Sequence, residues 1–578
     1  MTGEDPFTAF RSEVEAALRA TLKELDAEVE DLALERPPEG MGDLAIPCFP
    51  LAKILKKAPN AIAEDIASRL RPTGMIEKVE AKGGYVNVHV RFDMLAGSIL
   101  EKALSSKERF GSGEPKGVKV LLEHTSVNPT GPIHIGRARN PIIGDTIARI
   151  MRLAGYDVTT EFYVNDVGRQ VATMAWGVKN LDIGETADRD KDDHRFVAYY
   201  RGANEKADAD PKVLAEIDDI LYKLEHGDPE TAKITRETSE RVLDGMLDSL
   251  RQINVNIDQF TWESRLVEDG SVDEVISKLV GSDYCHEDEG AHYLELETFG
   301  ISGRETKWVF TRSDGTSLYT TRDLAYHLDK FARSDVTINI LGEDQKLGMQ
   351  QLAAALTTIG SDRMPEAVFY AFVSLPEGRM STRKGTVVTL DDLIDEIVER
   401  AYEEVRKRRT DLSEERMREI ARTVGIGALR YNIARIQAEK QIVFKWEEAL
   451  NFEGSSAPFV QYAHARACSI LRKAEKQAAA TSAVAAVTKL TTYHERELLK
   501  LIARFPSVIV DCAEGRKAHL LASYAQELAS QFNQFYRYVP VLRAEGDALE
   551  ARLALVEAAK WALGNALGCL GLDAPDEM

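Results

Sequence analysis

Cysteine is scarce in this chain. Five residues in 578, Cys48, Cys285, Cys468, Cys512 and Cys569, lie scattered, with no CxxC and no Cys/His pair at zinc-ligand spacing. The spacing predicts buried free thiols in a reducing compartment, and no metal site. Also missing is any uninterrupted apolar run of the roughly 18 residues that a membrane helix needs. The start, Met1 to Arg11, lacks the basic-then-apolar order of a signal peptide. Both absences predict a cytoplasmic protein with no membrane partner. Positive charge is in deficit: Lys plus Arg is 73 against 94 for Asp plus Glu, a net charge of −21. That argues weakly against a nucleic-acid partner, because phosphate binding is driven by cations. The charge is uneven, however. Acid clusters between Asp182 and Asp193, while Arg406, Lys407, Arg408 and Arg409 form a basic run that is either a solvated helix face or a nucleic-acid contact.

What is present is enough apolar surface, 44% of residues, for about three domains at this length. The first, 1–112, reads as a small α+β unit with a helix from Ala9 to Leu25, a break at Pro37 and Pro38 and a strand from Tyr85 to Val90. A Gly- and Pro-containing linker, Phe110 to Lys116, follows. From 113 to 395 short apolar strands alternate with helices. Strands are expected at Val118–Leu122, Val158–Val164, Thr337–Leu341 and Ala367–Leu375, and helices at Ile142–Leu153, Arg322–Phe331 and Leu347–Ile359. An acidic helical insertion occupies about 182–256. Such alternation implies an α/β domain with a Rossmann-type parallel sheet, which binds nucleotides at the carboxyl ends of its strands. Beyond it, 396–578 carries almost no strand signal and reads as an all-α bundle. The Ala-rich piece Ala478 to Ala486 looks like a connection.

Two segments carry chemistry. Asn128-Pro129-Thr130-Gly131-Pro-Ile-His134-Ile-Gly136-Arg137 follows a strand and opens a helix, where free N–H groups and the helix dipole attract phosphate. Gly131 and Gly136 would let a nucleotide approach the backbone, and His134 would donate to phosphate as charge builds. Alone, such a string is also ordinary turn chemistry. The second, Arg379-Met380-Ser381-Thr-Arg383-Lys384-Gly385, sets three cations within six residues after the last expected strand. It is either an exposed basic loop or a clamp for a triphosphate.

Together the two resemble the HIGH and KMSKS signatures of class I aminoacyl-tRNA synthetases, and the wording around them is closest to the arginyl-tRNA synthetases. The first extends as Glu123-His-Thr-Ser126-Val-Asn128, and Met380 to Gly385 reads MSTRKG, as in that family. Arg137 replaces the last histidine of HIGH and Arg379 the first lysine of KMSKS. Either Arg383 or Lys384 stands for the second signature lysine.

The resemblance implies an ATP-dependent, AMP-forming enzyme. It would form arginyl-adenylate from L-arginine and ATP with Mg2+, then pass arginine to the terminal adenosine of tRNA(Arg). It also implies an arginine pocket. A guanidinium calls for carboxylates in bidentate or stacked geometry. Tyr319 and Asp323, four apart on one helical face, and Glu263 match the family's residues for that group. Asn128 and Gln345 match positions that hold the substrate's amino and carboxylate ends, and Glu123 and Ser126 count among the implied arginine-binding residues. Pro129, Thr130, Gly131, His134, Gly136, Arg137, Met380 and Ser381 would line the ATP site. In the bundle, Gln461, Tyr462 and Arg466 resemble the anticodon-binding domain and offer stacking and phosphate contacts, or else form the packed start of the bundle. Gly42 to Ala45 and Gly83 to Asn87 resemble the family's extra N-terminal domain, implied to touch the tRNA elbow. A monomer is the family expectation. A class I synthetase for another amino acid, and a tRNA-binding paralogue without activity, remain alternatives.

Overall fold

The computed structural model describes residues 6–27, 29, 33–38, 40–184, 189–302, 306–374, 388–452, 454–475 and 487–578. The N-terminal unit forms because its apolar residues fit two periods. Phe10, Val14 and Leu18 make one buried stripe on the helix Pro6–Glu24, and Val86, Val88 and Val90 face the core from the strand Tyr85–Val90. That strand is central in an antiparallel sheet, between Leu44–Pro47 and Ile76–Lys82.

The second unit is built on five parallel strands. Their spatial order is Glu366–Tyr370, Val336–Gly342, Lys119–Glu123, Asp157–Val164 and Gln259–Trp262. In chain order the sheet runs outward in both directions from Lys119–Glu123. The crevice at the switch point therefore opens between the carboxyl ends of that strand and Val336–Gly342. The insertion is three helices, Asp192–Ala209, Pro211–Glu225 and Pro229–Gln252. Asp210 and Asp228 cap the last two, accepting from Lys212 N and Thr231 N, with proline in the first turn. Four strands were not anticipated. Gln259–Trp262 is short and half exposed, and Cys285–Asp288, Ala291–Glu295 and Lys307–Val309 form a separate antiparallel sheet with little apolar alternation.

The third unit is helical: Leu390–Arg408, Glu414–Ala434, Ala457–Glu475, Tyr493–Ala503, Phe505–Gly515, Ala518–Tyr538 and Gly546–Cys569. One two-residue strand, Ile442–Val443, pairs in parallel with Val373–Ser374. The connection expected at Ala478–Ala486 lies outside the described residues. The basic run is mostly tied locally: Lys407 and Arg408 pair with Glu404, and Arg409 with Asp411.

The bundle and the sheet share one core. The helix Arg139–Leu153 lies between them, packed against Phe505–Gly515 and Glu414–Ala434, so every residue from Arg139 to Ala148 is buried. Two buried guanidiniums bind the units together. Arg139 donates to the carbonyls of Ala371 (2.7 Å), Lys440 (2.6 Å), Gln437 (2.6 Å) and Ile436 (3.4 Å). Arg430 donates to Leu570 O (2.9 Å), Ile253 O (2.6 Å) and Asp145 Oδ2 (2.5 Å).

All five thiols are unpaired, and Cys285 alone among them is only half buried. The expectation that no cysteine has a histidine at ligand spacing is corrected, since His464 and Cys468 sit four apart on one helix beside Asp576. Their hydrogen bonds are directed within the chain: Cys468 Sγ to Asp576 Oδ1 at 3.2 Å and His464 Nδ1 to Pro575 O at 3.0 Å. Burial first, then the Asp576 carboxylate, pushes the thiol up to about 12. No helix among the described residues is long and apolar enough to cross a membrane.

Candidate active site

The strand Lys119–Glu123 ends in a tight reversal. Thr125 (φ +71°) and Ser126 (φ +35°) lie in the left-handed region, which costs non-glycine residues about 1–3 kcal/mol each. The surroundings hold them there. Thr125 N donates to Asn140 Oδ1 (2.7 Å), Asn140 Nδ2 to Ile340 O (2.8 Å) and Tyr163 N to Ser126 Oγ (3.0 Å). Asn128 emerges exposed, donating to Gln170 Oε1 at 2.8 Å, with Pro129 buried and Thr130 half buried behind it. At Gly131 the close neighbour is the protein itself, because a Cβ there would lie 2.7 Å from Val197 Cγ2 of the insertion. Gly131 and Val197 both line the cavity between this segment and the insertion.

His134 caps a single 3-10 turn, its Nδ1 accepting from Gly136 N at 3.2 Å. That bond leaves the neutral ring's proton on Nε2, free to donate outward. Burial, then the nearby Arg137 charge, lowers its pKa, so the neutral form prevails. Gly136 is buried, and Arg137 is exposed, its guanidinium 5.6 Å from the Phe372 ring. The backbone of this segment is held by the stretch that precedes the helix Leu390–Arg408. Ile135 N donates to Val388 O (3.1 Å), and Leu390 N donates to Ile133 O (2.8 Å). The second basic segment, with Arg379, Met380, Ser381, Arg383 and Lys384, lies outside the described residues.

The helix Tyr319–Arg333 brings Tyr319, 49% exposed, and Asp323 to one face. Burial opposes ionisation of Asp323, but His327 and Lys330 outweigh it and hold the carboxyl below its usual range. Beneath them Glu263 is fully buried at the end of Gln259–Trp262. Its Oε1 accepts from Arg322 Nε at 2.6 Å, while its Oε2 has no hydrogen-bond partner. Burial, opposed by Arg322, pushes Glu263 up to about 7. Glu123 accepts from the buried Lys330 Nζ at 2.7 Å. Gln345 is exposed in the turn after Val336–Gly342. Tyr163, Arg322 and Lys330 were missed by sequence reasoning. Arg322 stands between the two residues that were singled out, and its spacing gave no sign of a partner.

A cavity of about 1080 Å3 separates the first signature from the insertion, lined by Asn128, His134, Arg201, Lys206 and Thr389 among others. Its wall is fixed by a charged cluster. Asp391 Oδ2 accepts from Lys191 Nζ (2.7 Å) and His194 Nε2 (2.8 Å), and Lys191 also reaches Ser249 Oγ (2.5 Å).

In the bundle the three candidate RNA contacts part company. Gln461 is buried, its amide donating to Thr423 O (3.3 Å) and Asp573 O (3.0 Å). Burial under the C-terminal tail takes it off the surface, so in this structure it is a packing residue. Tyr462 is exposed, and Arg466 lies between its ring (4.6 Å) and that of Tyr536 (4.5 Å), donating to Asn533 Oδ1. The exposed rings of Tyr462 and Tyr536 with Arg466 between them make a surface on which flat groups could stack.

A doubly wound parallel sheet, an H-x-G turn at its switch point and an adjoining helical bundle define a class I tRNA synthetase. Accordingly, residues 99–446 match the model described as tRNA synthetases class I (R), catalytic domain. Residues 460–578 match the DALR anticodon binding domain and 10–90 the arginyl tRNA synthetase N terminal domain. The arginine–tRNA ligase of Methanocella arvoryzae is 50% identical over 95% of this chain and 96% of its own length. That of Methanothermobacter thermautotrophicus is 44% identical over 99% and 100%. The Thermus thermophilus arginyl-tRNA synthetase structure superposes with a TM-score of 0.82 at 30% identity, covering 98% of this chain and 100% of that one. The chain belongs to the arginyl-tRNA synthetase family.

Proposed function

We propose that the chain works as an arginine–tRNA ligase through the residues named above. What supports the reading is the clustering of Tyr319 and Asp323 on one helix with Glu263, which is paired with Arg322 of that same helix and sits at the end of a strand of the sheet whose switch-point strand leads to His134. The guanidinium is read by Asp323, Tyr319 and the free oxygen of Glu263. Asn128, Gln345, Ser126 and Glu123 surround the amino and carboxylate ends. One carboxylate oxygen of arginine attacks the α-phosphorus of ATP in line, the bond to the bridging oxygen breaks, and pyrophosphate leaves. His134 Nε2–H donates to phosphate as charge accumulates, and the exposed Arg137 adds a cation. Pro129, Thr130, Gly131 and Gly136 shape the wall. A ribose hydroxyl of the tRNA's terminal adenosine then attacks the arginyl carbonyl, and AMP leaves. No protein nucleophile is needed, since positioning and electrostatics supply the rate.

Roles for Arg379, Met380, Ser381, Arg383 and Lys384 rest on their sequence alone. Mg2+ belongs to the proposal as part of the nucleotide: Arg137 beside His134 offers a cation and no ligand, so the ion would be held mainly by phosphate oxygens. Tyr462 and Arg466 are proposed to stack on tRNA bases, with 1–112 at the tRNA elbow, 113–395 catalytic and 396–578 on the anticodon side. A cytoplasmic monomer completes the reading. The test is charging of unfractionated tRNA with each of the twenty amino acids in turn, in the wild type and in Asp323→Ala. Esterification of arginine alone, lost in the variant with ATP binding retained, supports it. Charging of another amino acid refutes the pocket, and no charging at all favours a tRNA-binding paralogue.

A further inference from the structure

The carboxylate beneath the pocket is already half used. Arg322 is itself buried, its Nε on Glu263 Oε1 at 2.6 Å and its Nη1 on Ser317 O (3.0 Å) and Oγ (3.1 Å). Its guanidinium is thus fixed from both sides and is not a mobile plug. On the other side of Glu263 stands Tyr163, 4% exposed, stacked on Tyr326 with ring centroids 4.2 Å apart. The Tyr163 hydroxyl is close enough to favour the ionised carboxylate, yet neither it nor Glu263 Oε2 makes a hydrogen bond of ordinary geometry. Two buried polar atoms without partners, side by side, are costly unless a ligand completes them. Tyr319 and Asp323, on the helix Tyr319–Arg333, are their charged and polar neighbours.

We propose that Arg322 and Tyr163 set the arginine specificity of this pocket: Arg322 favours the carboxylate form of Glu263 and commits one of its oxygens, and the remaining Oε2 with the Tyr163 oxygen forms a two-acceptor seat for adjacent N–H groups of a guanidinium. Arg322 is a positioning residue, and Tyr163 touches the substrate. The seat fits a planar fork of donors better than the compact ammonium of lysine. The inference rests on the pocket reading given above.

The groups facing Glu263 are Arg322, Tyr319 and Asp323 from one helix, and Tyr163 and Asp166 from the strand Asp157–Val164 and the turn after it. Arg236 reaches Asp166 and Ser264 from the insertion, and Glu225 lies 3.9 Å from Arg322. Arg322 is the cation in direct contact with the carboxylate. Its removal therefore leaves Glu263 protonated until higher pH.

The experiment is arginine-dependent ATP–pyrophosphate exchange by the full chain with tRNA present, from about pH 6 to about pH 9. For Tyr163→Phe, KM for arginine rises about tenfold while KM for ATP is unchanged. For Arg322→Met, KM for arginine rises at neutral pH and recovers towards alkaline pH, a profile that a merely structural lesion would not produce. Arg322→Lys, which keeps the charge, retains the wild-type pH profile. An unchanged arginine KM in Tyr163→Phe overturns the inference, as does an unshifted profile in Arg322→Met. If Arg322→Met does not fold, Tyr163→Phe and Arg322→Lys decide. Asp323→Ala is the control: if it too leaves arginine KM unchanged, the pocket reading itself fails.

Discussion

Arg139 follows the H-x-G turn directly, and Arg139→Met isolates what holds that turn in place. The wild-type guanidinium makes three short bonds, to Ala371, Lys440 and Gln437 carbonyls at 2.6–2.7 Å. Hydrogen bonds from a charged donor contribute about 1.5–3 kcal/mol each, so the three are worth roughly 5–9 kcal/mol. Against them stands the desolvation of the charge, which pushes the guanidinium down to about 10, a cost of roughly 3 kcal/mol. The net is a loss of roughly 2–6 kcal/mol, which brackets the about 3–5 kcal/mol for removing one partner of a buried charge network. The loss would fall where the sheet edge meets the chain before the bundle, and a displacement of about 1 Å at a reacting group can cost about a hundredfold in rate. The expected result is a lower urea midpoint by circular dichroism, and kcat for pyrophosphate exchange reduced more than the arginine KM is raised. Arg139→Lys, reaching fewer carbonyls, should fall between. A wild-type midpoint, or a destabilised enzyme with full kcat, would refute the reasoning.

Asp391→Asn should release Lys191 and His194 and lower kcat about tenfold with little change in arginine KM, if the cluster positions the backbone that pairs with His134. Burial would raise the Asp391 carboxyl, but His194 and Lys191 overcome it and hold it well below the usual range. The Asp391 carboxylate therefore stays ionised above the ordinary carboxylate value, and its contribution is lost only in strong acid as pH falls through the folded value, so a loss of activity near neutrality traced to protonation of Asp391 would count against this account. Arg466→Ala should raise the tRNA KM about tenfold, the scale of one lost stack, without touching arginine or ATP, as filter binding and steady-state kinetics would show. Gly131→Val would drive a methyl group into Val197 and should lower Tm by about 2 °C or more, measured by calorimetry.

How far the sequence revealed this molecule depended on whether partners were local. The strands Lys119–Glu123 and Val336–Gly342 are apolar runs and were legible, as were Tyr319 and Asp323, whose spacing puts them on one helix face. Arg322, between them, was not, because its partner Glu263 is 59 residues upstream and nothing in either segment marks the pairing. Gln461 read as an RNA contact because its segment resembles the family's anticodon-binding domain, and it is buried because the distant residue Asp573 accepts its amide. The antiparallel sheet from Cys285 to Val309 escaped notice since its exposed polar residues give no two-residue alternation. His464 and Cys468 were legible at four-residue spacing and were overlooked. The second signature was legible from its charge as a basic loop or a triphosphate clamp, and the choice between the two came from resemblance.

The backbone bonds between Ile133–Ile135 and Val388–Leu390, with those between Val373–Ser374 and Ile442–Val443, make a gauge for chain length. N–H and C=O groups are the same in every residue but proline, so most substitutions near these pairings leave them intact. A single insertion or deletion within Val388–Leu390 does not, because the pairing with Ile133–Ile135 would slip by one residue and turn the side chains to the opposite side beside His134. This stretch beside the crevice is thus freer in spelling than in count.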